Sequence, residues 1–584
     1  MARTIADQLV DQLIDAGVDH IYGIVGDSLN PIVDAVRRSG GKAKGGIDWI
    51  HVRHEESAAF MAAAEAQLTG KLAVCAGSCG PGNLHLINGL YDAHRSKAPV
   101  LAIASHIPSA EIGSGYFQET HPERLFTECS NYCEQIATAT QSPRVVNSAI
   151  RHALTGPGVS VVVISGDIAE FDAADPFPAF VPTAAPILVP AESDVRALAQ
   201  AIDQAKNVAI FAGAGVEGAH DEVIAFAEHV KAPIGHSLRG KQWIQYDNPY
   251  DIGMTGLLGY GAAHAGIHDA DLLLLLGTDF PYEQFLPDAS KVVIGQVDTD
   301  ASHLGRRVSV AHPVHGDVRA TLHLLTEMVA EKKNRGFLDR MLKKHAKLLG
   351  SVVGTYTDVD TVTPIHPEFA ISVIDDATAD DAIVTADTGM GNVWQARYVT
   401  PGPNRRLIGS FIHGSMANAL PHAIGAQVAY PGRQVVAIAG DGGLSMLLGE
   451  LITAAVYRLP VKVFVFNNST LGLVKLEMLV NGFPDFGVDV PGVDYAGVAR
   501  AIGFRAERIE DPKLLQSAVA NALAHDGPAL VDIVTDPRAL SLPPAISGEQ
   551  VKGFALAMSK IVLTGGGAEA VAMARSNIRH LPGL

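Results

Sequence analysis

Cysteine, basic runs, aromatics and long apolar stretches are all scarce in this sequence, and each shortage excludes something. Four cysteines in 584 residues are too few to staple a chain this long, so a disulfide scaffold is excluded and a reducing cytoplasm is expected. Cys75 with Cys79, and Cys129 with Cys133, form two C-x3-C pairs that could be read as a zinc site. Cys75 ends an apolar run, and Cys129 and Cys133 are spaced one helical turn apart, so buried thiols are the expected reading. No block of Lys or Arg interrupts a formal net charge of -18, which leaves no basic face for nucleic acid. No apolar stretch is long enough to span a bilayer; the greasiest, Leu272–Leu276, is strand-sized. The segment from Met1 to Asp7 lacks the basic-then-apolar pattern of a secretion signal, so a cytoplasmic protein is expected, one that could still touch a membrane.

What the chain does have is apolar residues (48%) and 58 glycines, a composition suited to α/β domains with many tight strand-to-helix turns. Its length exceeds one hydrophobic core and predicts three or four domains. In residues 1–180, Ile5, Leu9, Leu13 and Ala16 mark one face of a helix that Gly17 ends. Strand-like runs follow at 21–25, 47–52, 71–76, 100–104 and 159–164, with helical stretches between most of them. Runs buried on both faces predict a parallel sheet covered by helices. A Pro- and Ala-rich segment, 171–190, reads as a linker. A second unit, 190–340, has strands near 208–212, 272–276 and 292–297. The polar stretch 331–335 and the loop at 355–366 separate it from a third unit, 360–536, with strands at 382–386, 435–439, 461–466 and 530–534. Units one and three look alike, and a tail, 537–584, completes the chain. The predicted fold class is α/β: three doubly wound, mostly parallel-sheet domains plus a helical C-terminal tail.

The run 435–439 leads into Gly440-Asp441-Gly442-Gly443, and 444–457 reads as a single helix. Ligands of open parallel sheets collect at this edge. Glycine permits close backbone approach, the free N–H groups of a helix start suit a phosphate, and Asp441 is a hard oxygen ligand suited to Mg²⁺. One helix and one strand later comes Asn467-Asn468, so the two strand ends can be neighbours. Asn468 then offers a second oxygen and the Thr470 carbonyl a third. Gly, Asp and Asn also favour plain turns; it is the pairing at one crossover's spacing that points to a metal-held diphosphate.

Gly440-Asp441-Gly442 with Asn467-Asn468 resembles the fingerprint of thiamine-diphosphate enzymes, in which the Asp and the second Asn hold the metal. The resemblance implies an N-terminal pyrimidine-binding domain whose essential Glu contacts the aminopyrimidine ring. In Val52-Arg53-His54-Glu55-Glu56 that residue is Glu55, with Glu56 its competitor; unaided, Glu55 would read as a first-turn Glu complementing a helix dipole. Met416, in Gly414-Ser415-Met416, matches the bulky apolar residue beneath the cofactor, where a Met would otherwise be core. Gly414, Ser415, Gly442, Gly443, Ser469, Leu471, Gly472, Leu473 and Val474 are implied as further cofactor neighbours.

In the middle unit Gly213-Ala214-Gly215-Val216-Glu217-Gly218 is a literal G-x-G-x-x-G, yet Gly235-His236 stands where an acidic residue is expected, so NAD is not read. The unit resembles instead the FAD domain of pyruvate oxidases, which implies Gly256, Leu257, Leu258, Gly259, Asp279, Phe280, Pro281, Tyr282, Glu283 and Asp298 as flavin neighbours, with His315-Gly316-Asp317 a further candidate. Each segment alone would be a polar turn after a strand.

Including Gly80-Pro81-Gly82-Asn83-Leu84-His85 and the segment from Gly113 to Pro122, essentially the whole chain resembles the pyruvate oxidase family, nearest its bacterial pyruvate:quinone oxidoreductases. That implies Phe117 and Gln118 facing pyruvate, the cofactors thiamine diphosphate, Mg²⁺ and FAD, and a homotetramer with its sites between subunits. It also implies oxidation of pyruvate to acetate and CO₂, with electrons passing to a membrane quinone. Leu473 departs from the pattern, standing where relatives often carry a Phe between thiamine and flavin. In the tail, 568–581 places Val571, Ala574, Ile578 and Leu581 on one face, with Arg575 and Arg579 elsewhere on the turn. Such a helix can lie in a membrane surface or dock on the body; the resemblance favours peripheral attachment to the inner face of the cell membrane, with Gly565-Gly566-Gly567 as the joint. Two other readings stay open: an acetolactate-synthase-like carboligase with a non-redox FAD, and a catalytically inactive binding or regulatory protein. Tyr116-Phe117-Gln118, Ser415-Met416-Ala417-Asn418 and the tail speak against the first; Glu55, Asp441 and Asn468 speak against the second.

Overall fold

The computed structural model describes residues 3–174, 179–183, 186–539, 556–560 and 567–577. Three helix-covered sheets succeed one another along the chain. The first holds β1 (His20–Gly23), β2 (Asp48–His51), β3 (Ala73–Gly77), β4 (Val100–His106), β5 (Tyr132–Ile136) and β6 (Val159–Ser165), in the order β2-β1-β3-β4-β6-β5. Every residue of β4 and β6 is buried, which is why both read as unbroken apolar runs. The second sheet holds β7 (Val208–Ala212), β8 (Ile234–His236), β9 (Asp251–Met254), β10 (Tyr260–Gly261), β11 (Leu272–Leu276), β12 (Val293–Asp298) and β13 (His312–His315). Its order is β10-β9-β8-β7-β11-β12-β13, and only β9 and β10 pair antiparallel. The third holds β14 (Ile383–Ala386), β15 (Arg406–Gly409), β16 (Val435–Gly440), β17 (Lys462–Asn467), β18 (Arg505–Ile509) and β19 (Ala529–Val534), in the order β15-β14-β16-β17-β19-β18. Strand for strand this repeats the first sheet, so the likeness of units one and three is real and the α/β class is as expected.

The two like units pack through equivalent helices. Glu55–Thr69 follows β2, Ala419–Ala429 follows β15, and both are apolar nearly all round because both are buried. Their alanines share one core cluster, and at Gly425 a Cβ would collide with the Met61 carbonyl, so only glycine permits this crossing.

Several expectations need correction. The stretch 444–457 is not one helix: Asp441–Met446 and Glu450–Val456 are separate, and the break turns Glu450 towards the first unit. Cys129 closes a 3-10 turn while Cys133 lies on β5, since Ser130 is extended, so the two share no helix face. All four cysteines are nonetheless free, with Cys133 half-buried and the others buried, and burial pushes the Cys129 thiol up to about 12. Beyond the polar stretch 331–335, the helix Gly336–Leu348 still buries Phe337, Leu338 and Met341 against the second sheet's core. In the tail, the helix Gly567–Asn577 docks on the body. Met573 and Ala557 pack with Leu476 and Leu479, and Asn577 Nδ2 donates to the Arg538 carbonyl at 2.8 Å. Val571 is exposed; the Ala574 side chain, Ile578, Arg579, Leu581 and Gly565-Gly566 lie outside the described residues. Among the described residues no helix is long and apolar enough to cross a membrane.

Candidate cofactor site

In the third sheet the chain runs from β14 out to the edge strand β15 and returns to β16 on the other side of β14. Strand order reverses between β14 and β16, and the carboxyl ends there open the crevice where such sheets take ligands. Asp441 stands at that crevice, 3% exposed. Its Oδ1 accepts the Gly442 N–H at 2.8 Å and its Oδ2 accepts the Ser469 N–H at 2.6 Å, so this one carboxylate joins the ends of β16 and β17. Asn468 lies beside that joint, with its Oδ1 accepting the Thr470 N–H at 3.1 Å, and Ser469 takes a left-handed φ of 55°. Burial pushes the Asp441 carboxyl up to about 6, a cost that a bound cation would offset. Met416 is brought to the same place. A Cβ on Gly442 would stand 3.5 Å from Met416 Cε and against Leu471.

These residues fit the implied groups. Asp441, Asn468 and the Thr470 carbonyl are hard oxygens on adjoining loops, as Mg²⁺ prefers. A Cβ on Gly389, Gly414 or Gly440 would meet nothing within 4 Å, which leaves a glycine-walled space for a diphosphate. Among the described residues no three His, Cys, Asp or Glu side chains gather as a metal cage, the C-x3-C pairs included. One part of the crevice escaped sequence reasoning: Asp387-Thr388-Gly389-Met390, after β14. Asp387 is 2% exposed, accepts the Ala419 N–H at 2.9 Å and lies directly under Gly443. The signal was present, a polar Gly-containing turn between an apolar run and the helix Met390–Tyr398.

Glu55 opens its helix at the end of β2, 6% exposed. Its Oε2 lies 2.9 Å from His85 Nδ1, and Gly82 leaves room for its Oε1. His54 caps the helix and stacks on His85 at 4.4 Å. Glu450, from the third unit, accepts the Arg53 and His54 N–H groups at 2.9 and 3.0 Å, fixing this helix start. Glu56 is engaged elsewhere, taking Asn88 Nδ2 at 2.6 Å. Gln118, at a φ of 62°, packs on Gly80 and accepts from Cys79 Sγ at 3.4 Å, close to the helix that carries Gly82 and His85. Phe117 is not brought there; it is 78% exposed.

In the second sheet the order reverses between β7 and β11. The segments after β9 and β11 converge: a Cβ on Gly256 would stand 3.0 Å from the Phe280 ring and 3.9 Å from Tyr282. Gly256 and Gly259 line a cleft with His264, Phe285 and Lys344, three residues the sequence did not suggest. Leu257 is exposed, as are Pro281 and Glu283. Leu258 and Gly259 present their carbonyls to Arg397 of the third unit at 3.2 and 3.1 Å. Asp279 is held by Arg306 and Arg307, and Asp298 Oδ1 accepts the Asp300 N–H at 2.9 Å. The G-x-G-x-x-G segment has a structural use. Gly215 donates its N–H to the Gly277 carbonyl at 2.9 Å, and a 3-10 turn follows rather than a phosphate-binding helix start. Asp317 is occupied as the cap of Val318–Met328.

Residues 3–125 match the family described as the N-terminal TPP binding domain of thiamine pyrophosphate enzymes, 195–325 their central domain, and 387–533 their C-terminal TPP binding domain. A provisionally named thiamine pyrophosphate-containing protein of Bacillus subtilis is 36% identical over 96% of this chain and 96% of its own. Pyruvate oxidase of Lactiplantibacillus plantarum is 31% identical over 91% of this chain and 88% of its own, and acetolactate synthase of Arthrospira platensis 30% over 90% and 93%.

Proposed function

The chain belongs to the thiamine pyrophosphate enzyme family, and from that premise we propose that it oxidatively decarboxylates pyruvate and passes the electrons through FAD to a membrane quinone. The overall change is pyruvate, water and quinone to acetate, CO₂ and quinol. Residues 1–180 form the pyrimidine-binding domain, 190–348 the flavin domain and 360–536 the diphosphate and Mg²⁺ domain.

Bound thiamine diphosphate supplies the nucleophilic carbon and the electron sink, and bound FAD the two-electron acceptor. The protein's part is placement. Asp441, Asn468 and the Thr470 carbonyl would hold the metal, and Met416, beside Gly442, would pack against the cofactor. Glu55, shielded from water, would hold and move a proton at its carboxylate for the bound cofactor. Gln118 orients pyruvate. The observation that carries this reading is the joining of the β16 and β17 ends through Asp441, in a unit whose strand order repeats that of the unit bearing Glu55. Arg397, which ties the Leu258-Gly259 loop to the helix opening at the crevice, supports a flavin domain that meets the thiamine site, in the oxidase and carboligase readings alike. A homotetramer with sites between subunits suits Phe117, exposed on a loop otherwise pinned by Glu119 to the Gly115 and Tyr116 N–H groups.

Adding pyruvate without oxygen should bleach the flavin, and a soluble quinone analogue should then restore its colour and release acetate. A flavin that stays oxidised while acetolactate accumulates would establish the carboligase, a reading favoured by the synthase relative. Absence of CO₂ release from pyruvate would mark an inactive protein.

A further inference from the structure

One helix of the first unit, Pro81–Arg95, carries polar residues that none of the roles above employs. His85, Asn88 and Asp92 recur at i, i+3 and i+7, so they share a face. His85 meets Glu55. Asn88 Nδ2 donates to Glu56 Oε1 at 2.6 Å and to Ser415 Oγ at 2.9 Å, while its Oδ1 lies 2.8 Å from His413 Nε2. Asp92 Oδ1 accepts from Ser410 Oγ at 2.7 Å, and its Oδ2 lies 3.2 Å from His422 Nε2, both side chains fully buried. Between these positions Gly89 lies so close to the Glu56 carbonyl and Ala59 that any side chain would separate the two helices.

Of the partners from the third unit, His422 lies on the helix Ala419–Ala429, and Ser410, His413 and Ser415 belong to the loop that precedes it. Ser410 Oγ also accepts the Ser415 N–H at 2.9 Å, and Asn418 Nδ2 donates to the Ser415 carbonyl at 2.7 Å. Ala417 has a left-handed φ of 66°, a conformation that costs an alanine energy and persists only where its surroundings impose it. Met416 sits between Ser415 and Ala417. The loop that aims Met416 is therefore held from outside its own domain, by the helix that also touches Glu55.

We propose that this face of the Pro81–Arg95 helix is a positioning device, with Asn88 as its joint, that ties the Met416 loop to the Glu55 helix of the same chain and so, with sites shared between subunits, sets the Met416 side of one site and the Glu55 side of its neighbour. The inference rests on the thiamine-diphosphate reading of the site. An amide suits the joint because it gives its protons to a carboxylate and a hydroxyl while its oxygen faces an imidazole; a carboxylate would repel Glu56, and an apolar residue would remove all three contacts from half-buried partners. Asn88 acts through Ser415 and Glu56, so it is a positioning residue.

The test uses the full-length protein loaded with thiamine diphosphate and Mg²⁺ and needs no turnover: exchange of the thiazolium C2 proton with deuterated solvent, quenched in acid and read by NMR. Misplacement of about 1 Å costs up to roughly 100-fold in such a step. Asn88→Ala should therefore slow exchange by about 10-fold or more, while cofactor affinity stays within about 3-fold and the melting temperature within a few degrees. Ser415→Ala should slow exchange less, and the double variant should be no slower than Asn88→Ala, since residues acting as one joint are not additive. Unchanged exchange in folded Asn88→Ala, or additive effects in the double variant, would overturn the proposal. Should Asn88→Ala fail to fold, Ser415→Ala and Ser410→Ala decide: both must slow exchange, and normal rates refute the device. A wild-type protein that binds no thiamine diphosphate would overturn the underlying reading and this inference together; normal wild-type exchange with unaffected variants overturns the inference alone.

Discussion

Glu55 and Glu56 are adjacent and alike in chemistry, yet the structure gives them different surroundings. Glu55 is buried beside His85, whereas Glu56 is taken by Asn88. Sequence narrowed the candidate to this pair, and the choice of Glu55 came from the family's pattern, because periodicity cannot tell which of two neighbours at a helix start turns inward. Glu55→Gln should lower pyruvate-dependent CO₂ release by about 10²- to 10⁴-fold, the usual worth of a positioned acid or base, with melting temperature unchanged. Glu56→Gln, which keeps an acceptor for Asn88, should lose far less. Equal losses would refute the assignment. A second residue-scale consequence lies away from the site. His236, at the end of β8, is buried among Asp251, Lys241, His345 and Tyr260, and burial lowers its pKa from 6.5 to about 4. Between those values the unfolded chain takes up a proton that the folded one refuses. Stability is therefore full above about pH 6.5 and falls as the pH drops to about 4, by on the order of 3 kcal/mol. His236→Gln should flatten the acid side of a melting-temperature profile over that interval; an unchanged profile would refute the linkage.

At the scale of elements, the long apolar central strands were legible, whereas the short inner strands β8 and β9 and every edge strand but β2 were not. Runs such as Leu272–Leu276 are buried on both faces and leave an unmistakable apolar mark. Edge strands such as β5 and β18 expose polar residues, Tyr-Cys-Glu-Gln-Ile and Arg-Ala-Glu-Arg-Ile, and look like loops. The helix break near residues 447–449 also escaped notice, because what it serves is a tertiary contact: Glu450 reaching the Arg53 and His54 N–H groups. The loops Gly440-Asp441-Gly442 and Asn467-Asn468 were legible since they follow two recognisable strands; Asp387 was not, its strand having been read without the turn behind it. The crossing of Glu55–Thr69 with Ala419–Ala429 gives the sharpest prediction at this scale. Gly425→Ala would push a methyl group into backbone, which can yield only by separating the helices. We expect a loss of about 1–3 kcal/mol in denaturant unfolding, together with weaker thiamine diphosphate binding, since one helix starts at Glu55 and the other follows Met416. A variant as stable as wild type would mean that the crossing relaxes freely.

For the whole molecule, the open question is what the tail does, and the docked helix sharpens it. Met573 and Ala557 cover Leu476 and Leu479 on the helix Gly472–Val480, which begins just after the Asn468-Ser469-Thr470 loop. Val571 and Leu556 remain 54% and 51% exposed. A tail that only completed the fold would have little reason to leave large apolar side chains in water, although single exposed residues are common. A tail that attaches to lipid has a use for them, because apolar area buried in the headgroup region drives interfacial binding. The two roles separate in a chain ending at residue 566. If the helix serves attachment, that protein should still decarboxylate pyruvate with a soluble quinone analogue, should no longer sediment with phospholipid vesicles, and should show no activation by them. If the helix belongs to the fold, uncovering Leu476 and Leu479 should lower the melting temperature and the decarboxylation rate together, with or without vesicles. Met573→Asp offers the same contrast without truncation: it undocks the helix and leaves the exposed apolar residues in place, so vesicle binding should persist or strengthen under the attachment reading and stability alone should fall under the other.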